Sequence, residues 1–264
     1  MEWLCYDSDG MEWIDVPRQP KVSVNFNKSL AVGTELLVFG RNHGGLDMIH
    51  KFSAWTNSWS LGREMNELRF WFGSASLGRI AIVVGGGMDA EYNILSSAEI
   101  YNSATGTWES LPRMNRPRAN CSGVFMNGNF YVVGGIGEDK RVTSLTCGET
   151  YDLGTRRWSE IPNMFPSQMG QIIETGTPSL LDVAKNELYA AFYRENEVRK
   201  YDKGRNLWST VGNLPEGVCI RHFGMTLRAY GDQLILFVGE PCLGGEPSLV
   251  GVEVYECVPD EGPL

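Results

Sequence analysis

The chain contains 264 residues with a formal net charge of −9, six cysteines and three histidines. The acidic balance excludes a nucleic-acid partner, whose phosphates require a basic stripe, and no apolar run reaches the roughly 18 residues that would predict a membrane partner. The cysteines lack Cys-x-x-Cys spacing and the acidic N-terminal segment lacks a signal peptide's features, so we expect reduced thiols and an intracellular protein of the cytoplasm or nucleus.

Along the chain, an aromatic residue precedes a tryptophan by seven positions five times. The pairs are Tyr6/Trp13, Phe52/Trp59, Tyr101/Trp108, Tyr151/Trp158 and Tyr201/Trp208. In the third and fourth pairs, Asn or Asp with Gly and Thr favours a type I turn closed by a left-handed residue. We predict a hairpin at each pair, with its two rings opposite each other and packed against the next unit. The interval of about fifty residues predicts an array of equivalent units.

Short apolar strands precede each pair. "IAIVVGG" (80–86) and "NFYVVGG" (129–135) end in glycine pairs, which allow positive φ and close backbone approach. A further strand lies upstream of each and no window has a helical period, so each unit is predicted to hold four strands. We interpret the chain as one domain, residues 1–264, with units at roughly 1–17 (partial), 18–62, 63–112, 113–162, 163–214 and 215–264 (partial).

Radial stacking of such units predicts an all-β fold, a β-propeller of about six blades of four antiparallel strands with incomplete terminal blades. In the alternative, the last three strands take up the strand of Trp13 and close a five-bladed ring. The predicted blade anchors are the repeated aromatic and glycine residues: Trp13, Trp59, Trp108, Trp158, Trp208, Tyr101, Tyr151, Tyr201, Gly85, Gly86, Gly134 and Gly135.

The residues that carry catalysis or metal binding show no recognisable arrangement. His43, His50 and His222 form no His-x-x-x-His pattern, and no Gly-x-Ser-x-Gly sequence indicates a nucleophile. We therefore expect a non-catalytic protein without metal or cofactor.

Three arginines occupy equivalent positions before a first strand: Arg69, Arg118 and Arg221. Because first strands line the channel of a propeller, one hypothesis is that these guanidinium groups bind an acidic or phosphorylated peptide at the channel mouth. In the alternative, each arginine holds its own interblade loop in place. Loops after second strands differ between units and reach the same mouth, so we also predict partner contacts there, at Tyr92, Arg141, Tyr193 and Arg194.

The doubled glycine, the aromatic–x6–Trp hairpin and the arginine before the first strand resemble kelch repeats. Stretches such as "ILSSAEIYNSATGTWESLPRMNRPR" and "CSGVFMNGNFYVVGGIG" are similar to plant F-box/kelch-repeat proteins. The resemblance implies a kelch-type propeller that binds target proteins as the substrate receptor of an SCF-type E3 ubiquitin ligase. It implies binding of the Skp adaptor only if an F-box lies upstream of these residues. A stand-alone kelch scaffold and a kelch-fold enzyme are the alternatives.

Overall fold

The computed structural model describes residues 3–7, 12–17, 23–41, 47–87, 93–137, 145–165, 180–192, 195–214, 226–230, 233–239 and 252–257. These residues form 21 strands and six antiparallel sheets, and no helix occurs among them. The fold class is therefore all-β, as the strand periodicity predicted.

Four of the sheets contain four strands each. The first holds β3 (Ser23–Val32), β4 (Glu35–Arg41), β5 (Asp47–Ser53) and β6 (Ser58–Leu61). The second holds β7 (Gly73–Leu77), β8 (Ile80–Val84), β9 (Ala98–Asn102) and β10 (Thr107–Leu111). The third holds β11 (Ser122–Met126), β12 (Asn129–Val133), β13 (Gly148–Asp152) and β14 (Arg157–Ile161). The fourth holds β15 (Leu181–Ala184), β16 (Glu187–Phe192), β17 (Glu197–Asp202) and β18 (Leu207–Asn213).

The two terminal sheets are smaller. β1 (Trp3–Asp7) pairs with β2 (Glu12–Val16), and β19 (Thr226–Tyr230), β20 (Gln233–Gly239) and β21 (Val252–Cys257) form a three-stranded sheet. Within the described residues no ladder joins β2 to β21, so the strand pairing follows the six-sheet interpretation rather than the five-bladed one. The assignment of residues 1–264 to one domain stays a prediction.

Successive sheets meet through their first strands. β3 lies against β7, β7 against β11, β11 against β15, and β15 against β19. Each four-stranded sheet is hydrogen-bonded in chain order, so its first strand is innermost and its fourth strand lies at the periphery. This is the blade arrangement of a β-propeller.

The predicted hairpins are present in the predicted geometry. Tyr101 is directly opposite Trp108 and Tyr151 opposite Trp158, with ring centroids 4.9 Å apart in both pairs. In the third sheet, the Asp152 carboxylate accepts the amide of Gly154 at 2.8 Å, and Arg156 closes the four-residue loop with a φ of 56°. The turn is thus set locally by an acceptor side chain and a left-handed residue.

The aromatic pairs pack against the preceding sheet, and the prediction that they pack against the next unit is wrong. Tyr101 and Trp108 share a core cluster with Leu37 and Phe39 of the sheet before them. The indole nitrogen of Trp108 donates to the carbonyl of Arg63, in the connection that leaves that sheet, at 2.9 Å. Equivalent indole bonds join Trp59 to Pro17, Trp158 to Pro112 and Trp208 to Met164. The side chain of Trp13 lies outside the described residues.

The glycine pairs have the predicted conformation. Gly85 and Gly86 have φ of 63° and 98°, and Gly134 and Gly135 have 65° and 93°. A Cβ atom at Gly85 would overlap the carbonyl oxygen of Arg118 in the next loop. Glycine at this position therefore allows one sheet to approach the backbone of the next.

Candidate functional site

The loops that carry Arg69 and Arg118 lie at one end of the sheets. In an antiparallel sheet of four strands, the first strand begins, and the second strand ends, at the same end. We call this end the channel mouth and define it by the loops 62–72 and 112–121 with residues 85–87 and 134–137. The loops contact one another there, because the amide of Gly86 donates to Arg118 at 2.9 Å and that of Asn120 to Trp71 at 2.6 Å.

Arg69 lies beneath the mouth rather than on it. Its side chain has no exposed surface. Nη1 donates to the carbonyls of Gly85 and Ser97, and Nη2 lies 2.8 Å from the Glu99 carboxylate. Glu99 also accepts the backbone amides of Asn66 and Glu67, at 2.7 and 3.1 Å. One ion pair therefore holds together the loop before β7, the end of β8 and the start of β9.

Arg118 repeats this arrangement almost atom for atom. Nη1 donates to the carbonyls of Gly134 and Cys147, and Nη2 lies 2.8 Å from Glu149. Glu149 accepts the amides of Asn115 and Arg116, also at 2.7 and 3.1 Å. Neither the arginine nor the glutamate side chain has exposed surface.

These contacts correct the peptide hypothesis for Arg69 and Arg118. A guanidinium that is buried and paired with a carboxylate offers no donor fork to a ligand at the mouth. The geometry corresponds to the alternative in which each arginine holds its own loop. The other predicted contacts, Arg221, Tyr92, Arg141, Tyr193 and Arg194, lie outside the described residues, and their binding role stays a prediction.

The glutamates were missed by the sequence interpretation, although a signal for them exists. Glu99 and Glu149 stand two positions before the hairpin aromatics Tyr101 and Tyr151. The first and fourth four-stranded units have no arginine before the first strand. In place of the glutamate they have His50 and Arg199. In these four units the arginine before the first strand and the glutamate before the hairpin aromatic are present together or absent together. This covariation between units would have predicted the ion pair.

His50 and Arg199, which replace the glutamate in the first and fourth four-stranded units, have different surroundings. His50 is buried in β5, and burial lowers the pKa of its imidazole. Arg199 lies 2.6 Å from Glu197 and stacks over the ring of Phe192, with 4.0 Å between its guanidinium carbon and the ring centroid. At this position, therefore, neither unit has the carboxylate that caps the loop amides in the second and third sheets.

Two further charged residues connect neighbouring first strands. The ammonium of Lys28 donates to the carbonyl of Phe72 in the loop before β7, and burial lowers the pKa of Lys28 to about 8. Asp182 on β15 accepts the amide of Ala229 on β19 at 2.9 Å, and burial raises the pKa of Asp182. Both side chains contribute to the contacts around the channel.

The described residues do not provide a metal site or a membrane-spanning helix. Within them no three His, Cys, Asp or Glu side chains converge in a geometry that could hold a metal ion. Nor does this part of the chain contain a helix that could cross a bilayer. Cys121 and Cys147 are buried free thiols, and burial raises the pKa of Cys121.

Comparison with known proteins agrees with the repeat geometry. The kelch motif matches residues 72–115 and 117–165, which contain the second and third four-stranded sheets. The chain is a kelch-repeat protein. Across 99% of its length this kelch-repeat chain is 46% identical to an F-box/kelch-repeat protein of Arabidopsis thaliana and 45% identical to the F-box/kelch-repeat protein SKIP11 of the same plant. A third Arabidopsis F-box/kelch-repeat protein is 44% identical over 93% of the chain.

The kelch-repeat chain spans only part of these relatives. It covers 60% of the first relative, 57% of SKIP11 and 60% of the third.

Proposed function

We propose that this kelch-repeat chain is a non-catalytic protein-recognition module and the target-binding part of an SCF-type ubiquitin ligase. The observation that carries the proposal is 46% identity, over 99% of the chain, to a protein named for an F-box and kelch repeats. An F-box elsewhere in the natural protein would bind the Skp adaptor, and the kelch-repeat sheets would hold the target. An intracellular location in the cytoplasm or nucleus is part of this proposal.

The channel mouth is the proposed target-binding surface. Its loops are held from below by the two buried ion pairs, so their backbones are fixed before a partner arrives. A fixed loop loses little conformational entropy on binding. The side chains at equivalent positions of these loops nevertheless differ, with an exposed Leu68 in one and a half-buried Pro117 in the next. Rigid loops with variable side chains are typical of recognition surfaces built on a scaffold.

The test needs the natural full-length protein, because ligase activity requires more than the kelch repeats. Proteins cross-linked to it in cells are identified first. Each is then tested as a ubiquitination substrate of a reconstituted ligase that contains the Skp adaptor. We expect Leu68→Asp, at the mouth, to abolish target capture and ubiquitination. Leu207→Asp is the matched control, because Leu207 is also an exposed leucine (62%) but lies on the outer strand β18.

The outcomes separate the parts of the proposal. Loss of both activities in Leu68→Asp alone supports target recognition at the mouth. Equal capture by both variants places the binding surface elsewhere. Saturable binding of a target that is never ubiquitinated contradicts the ligase role and favours a stand-alone kelch scaffold.

A further inference from the structure

The loop before β7 carries three large apolar residues that the equivalent loop before β11 lacks. The two loops have equivalent contacts, because Phe70 forms an isolated β-bridge with Gly87 in one loop and Ala119 forms one with Ile136 in the other. Leu68, Phe70 and Trp71 therefore correspond to Pro117, Ala119 and Asn120. The strands around both loops are alike, so these substitutions are specific to the surface of one loop.

Trp71 occupies a backbone conformation that does not suit tryptophan. Its φ is 58°, and the equivalent Asn120 has 55°. Asparagine is among the residues that adopt this left-handed region most readily, whereas a bulky side chain there is an outlier. Strained residues of this kind concentrate at functional sites, where the surrounding structure holds them in place.

Burial in the core does not account for the tryptophan. Trp71 remains 39% exposed and Leu68 46% exposed. The ring of Phe70 lies edge-to-face against the indole with 5.4 Å between ring centroids. Leu68, Phe70 and Trp71 lie within four consecutive residues of this loop, and we call these three partly exposed apolar residues the cluster at the channel mouth. Partly exposed tryptophans supported by a second ring are common anchors in protein interfaces.

The charges around this cluster favour a basic partner. Counted with Glu99, loop 62–72 has two positive side chains, Arg63 and Arg69, and three negative ones, which include Glu64 and Glu67. The single guanidinium of Arg69 faces two carboxylates, because its Nη2 lies 2.8 Å from Glu99 and 3.7 Å from Glu67, and the Glu67 side chain is 29% exposed. The equivalent loop before β11 has the opposite balance, because on the same count it has three arginines, Arg113, Arg116 and Arg118, and one carboxylate, Glu149.

We propose that the Leu68–Phe70–Trp71 cluster anchors a partner peptide in which an arginine or lysine lies beside an apolar residue. The cation stacks on the indole of Trp71 and pairs with Glu67, and the apolar residue packs on Leu68. The net charge of −9 attracts such a peptide during approach. This inference rests on the proposed recognition function and names its ligand class, which is the reverse of the acidic peptide suggested by the arginine pattern.

The test uses Trp71→Asn, which installs the residue that the next loop has at the same position. Because asparagine relieves the backbone strain, the variant is expected to melt at the wild-type temperature or higher. Trp55→Asn is the control, since Trp55 is 88% exposed in the β5–β6 turn, away from the mouth. A displayed library of short random peptides is selected on each of the three proteins, and enriched peptides are synthesised for affinity measurement.

We expect wild type and Trp55→Asn to enrich peptides with a basic residue beside an apolar one, and Trp71→Asn to bind them at least about tenfold more weakly. Glu67→Gln should weaken binding less and reduce its salt dependence. Equal binding by wild type and Trp71→Asn, enrichment of acidic peptides, or self-association through the cluster overturns this proposal and leaves the proposed function standing. Failure of the wild type to enrich any peptide counts against both.

Discussion

Glu149 neutralises the buried charge of Arg118 and at the same time caps two backbone amides of the loop before β11. Removing only the arginine leaves an uncompensated carboxylate in the interior, which costs about 3–5 kcal/mol. We expect Arg118→Met to lower the free energy of unfolding by that amount in urea titrations. Arg118→Met with Glu149→Met should lower it by less than the sum of the single changes, because neither charge is then left alone.

Arg116 and Glu160 provide the control for this prediction, since they form an ion pair at 3.1 Å with 53% and 33% of their side chains exposed. A surface pair of this kind contributes about 0–1 kcal/mol. Arg116→Met should therefore change the stability little. Equal losses in Arg116→Met and Arg118→Met would contradict the tethering role of the buried pair.

His50 makes the stability depend on pH. Burial lowers its pKa in the folded protein, whereas in the unfolded chain its pKa is about 6.5. As the pH falls through that value the unfolded state binds a proton first, so the free energy of unfolding decreases. We expect a smaller decrease between about pH 7.5 and 5.5 in His50→Gln than in the wild type. Identical slopes would show that His50 keeps its ordinary pKa.

At the scale of a loop between two strands, Gly85 and Gly134 allow two costs of replacing a glycine to be distinguished, the strain of a left-handed backbone and the steric overlap of an added Cβ atom. Gly85 and Gly134 have nearly the same φ, 63° and 65°. A Cβ atom at Gly134 would have ordinary contact with Phe165, at 3.5 Å, whereas at Gly85 it would overlap the carbonyl of Arg118. Among the described residues, the nearest neighbour of a Cβ atom at Gly134 is thus a side chain, whereas at Gly85 it is a backbone carbonyl.

Alanine substitutions at these two glycines should therefore differ in cost. Gly134→Ala should lose about 1–2 kcal/mol from the left-handed backbone alone. Gly85→Ala should lose a further 1–3 kcal/mol or so, because the next loop has to move. Urea titration of both variants measures the difference. If Gly134→Ala lost more unfolding free energy than Gly85→Ala, the loop before β11 would be able to move away from a Cβ atom at little cost. That loop would then not define the contact between the sheets.

The local parts of each element were predictable from the sequence, and the contacts between elements were less so. The Asp152 turn was predicted because its acceptor and its left-handed residue lie within one loop. The direction in which Trp108 packs was not, because an aromatic pair on a strand can face either neighbouring sheet. The role of Arg118 was missed because Glu149 is 31 residues away in the chain, and only the fold brings the two charges together.

At the scale of the whole molecule, successive sheets contact one another along the series of first strands from β3 to β19. The stability of such an array is a sum of unit and interface contributions. The second and third four-stranded sheets have both a buried Arg–Glu pair and an indole bond to the preceding connection. The fourth has the indole bond of Trp208, but Arg199 stands at its glutamate position. Local opening should therefore be easier in the fourth sheet than in the second and third.

Hydrogen exchange can test this order, because the second strands β8, β12 and β16 are equally buried. Val83, Val132 and Leu188, one from each, have no exposed surface, so burial alone predicts equal protection. If the ion pairs set the local stability, the amides of β16 exchange faster than those of β8 and β12. Arg118→Met should then raise the exchange of β12 toward that of β16 and change β8 less, because the effect passes only through the shared interface. A common rate in all three strands, with and without the substitution, would instead mean that the sheets open together as a single cooperative unit.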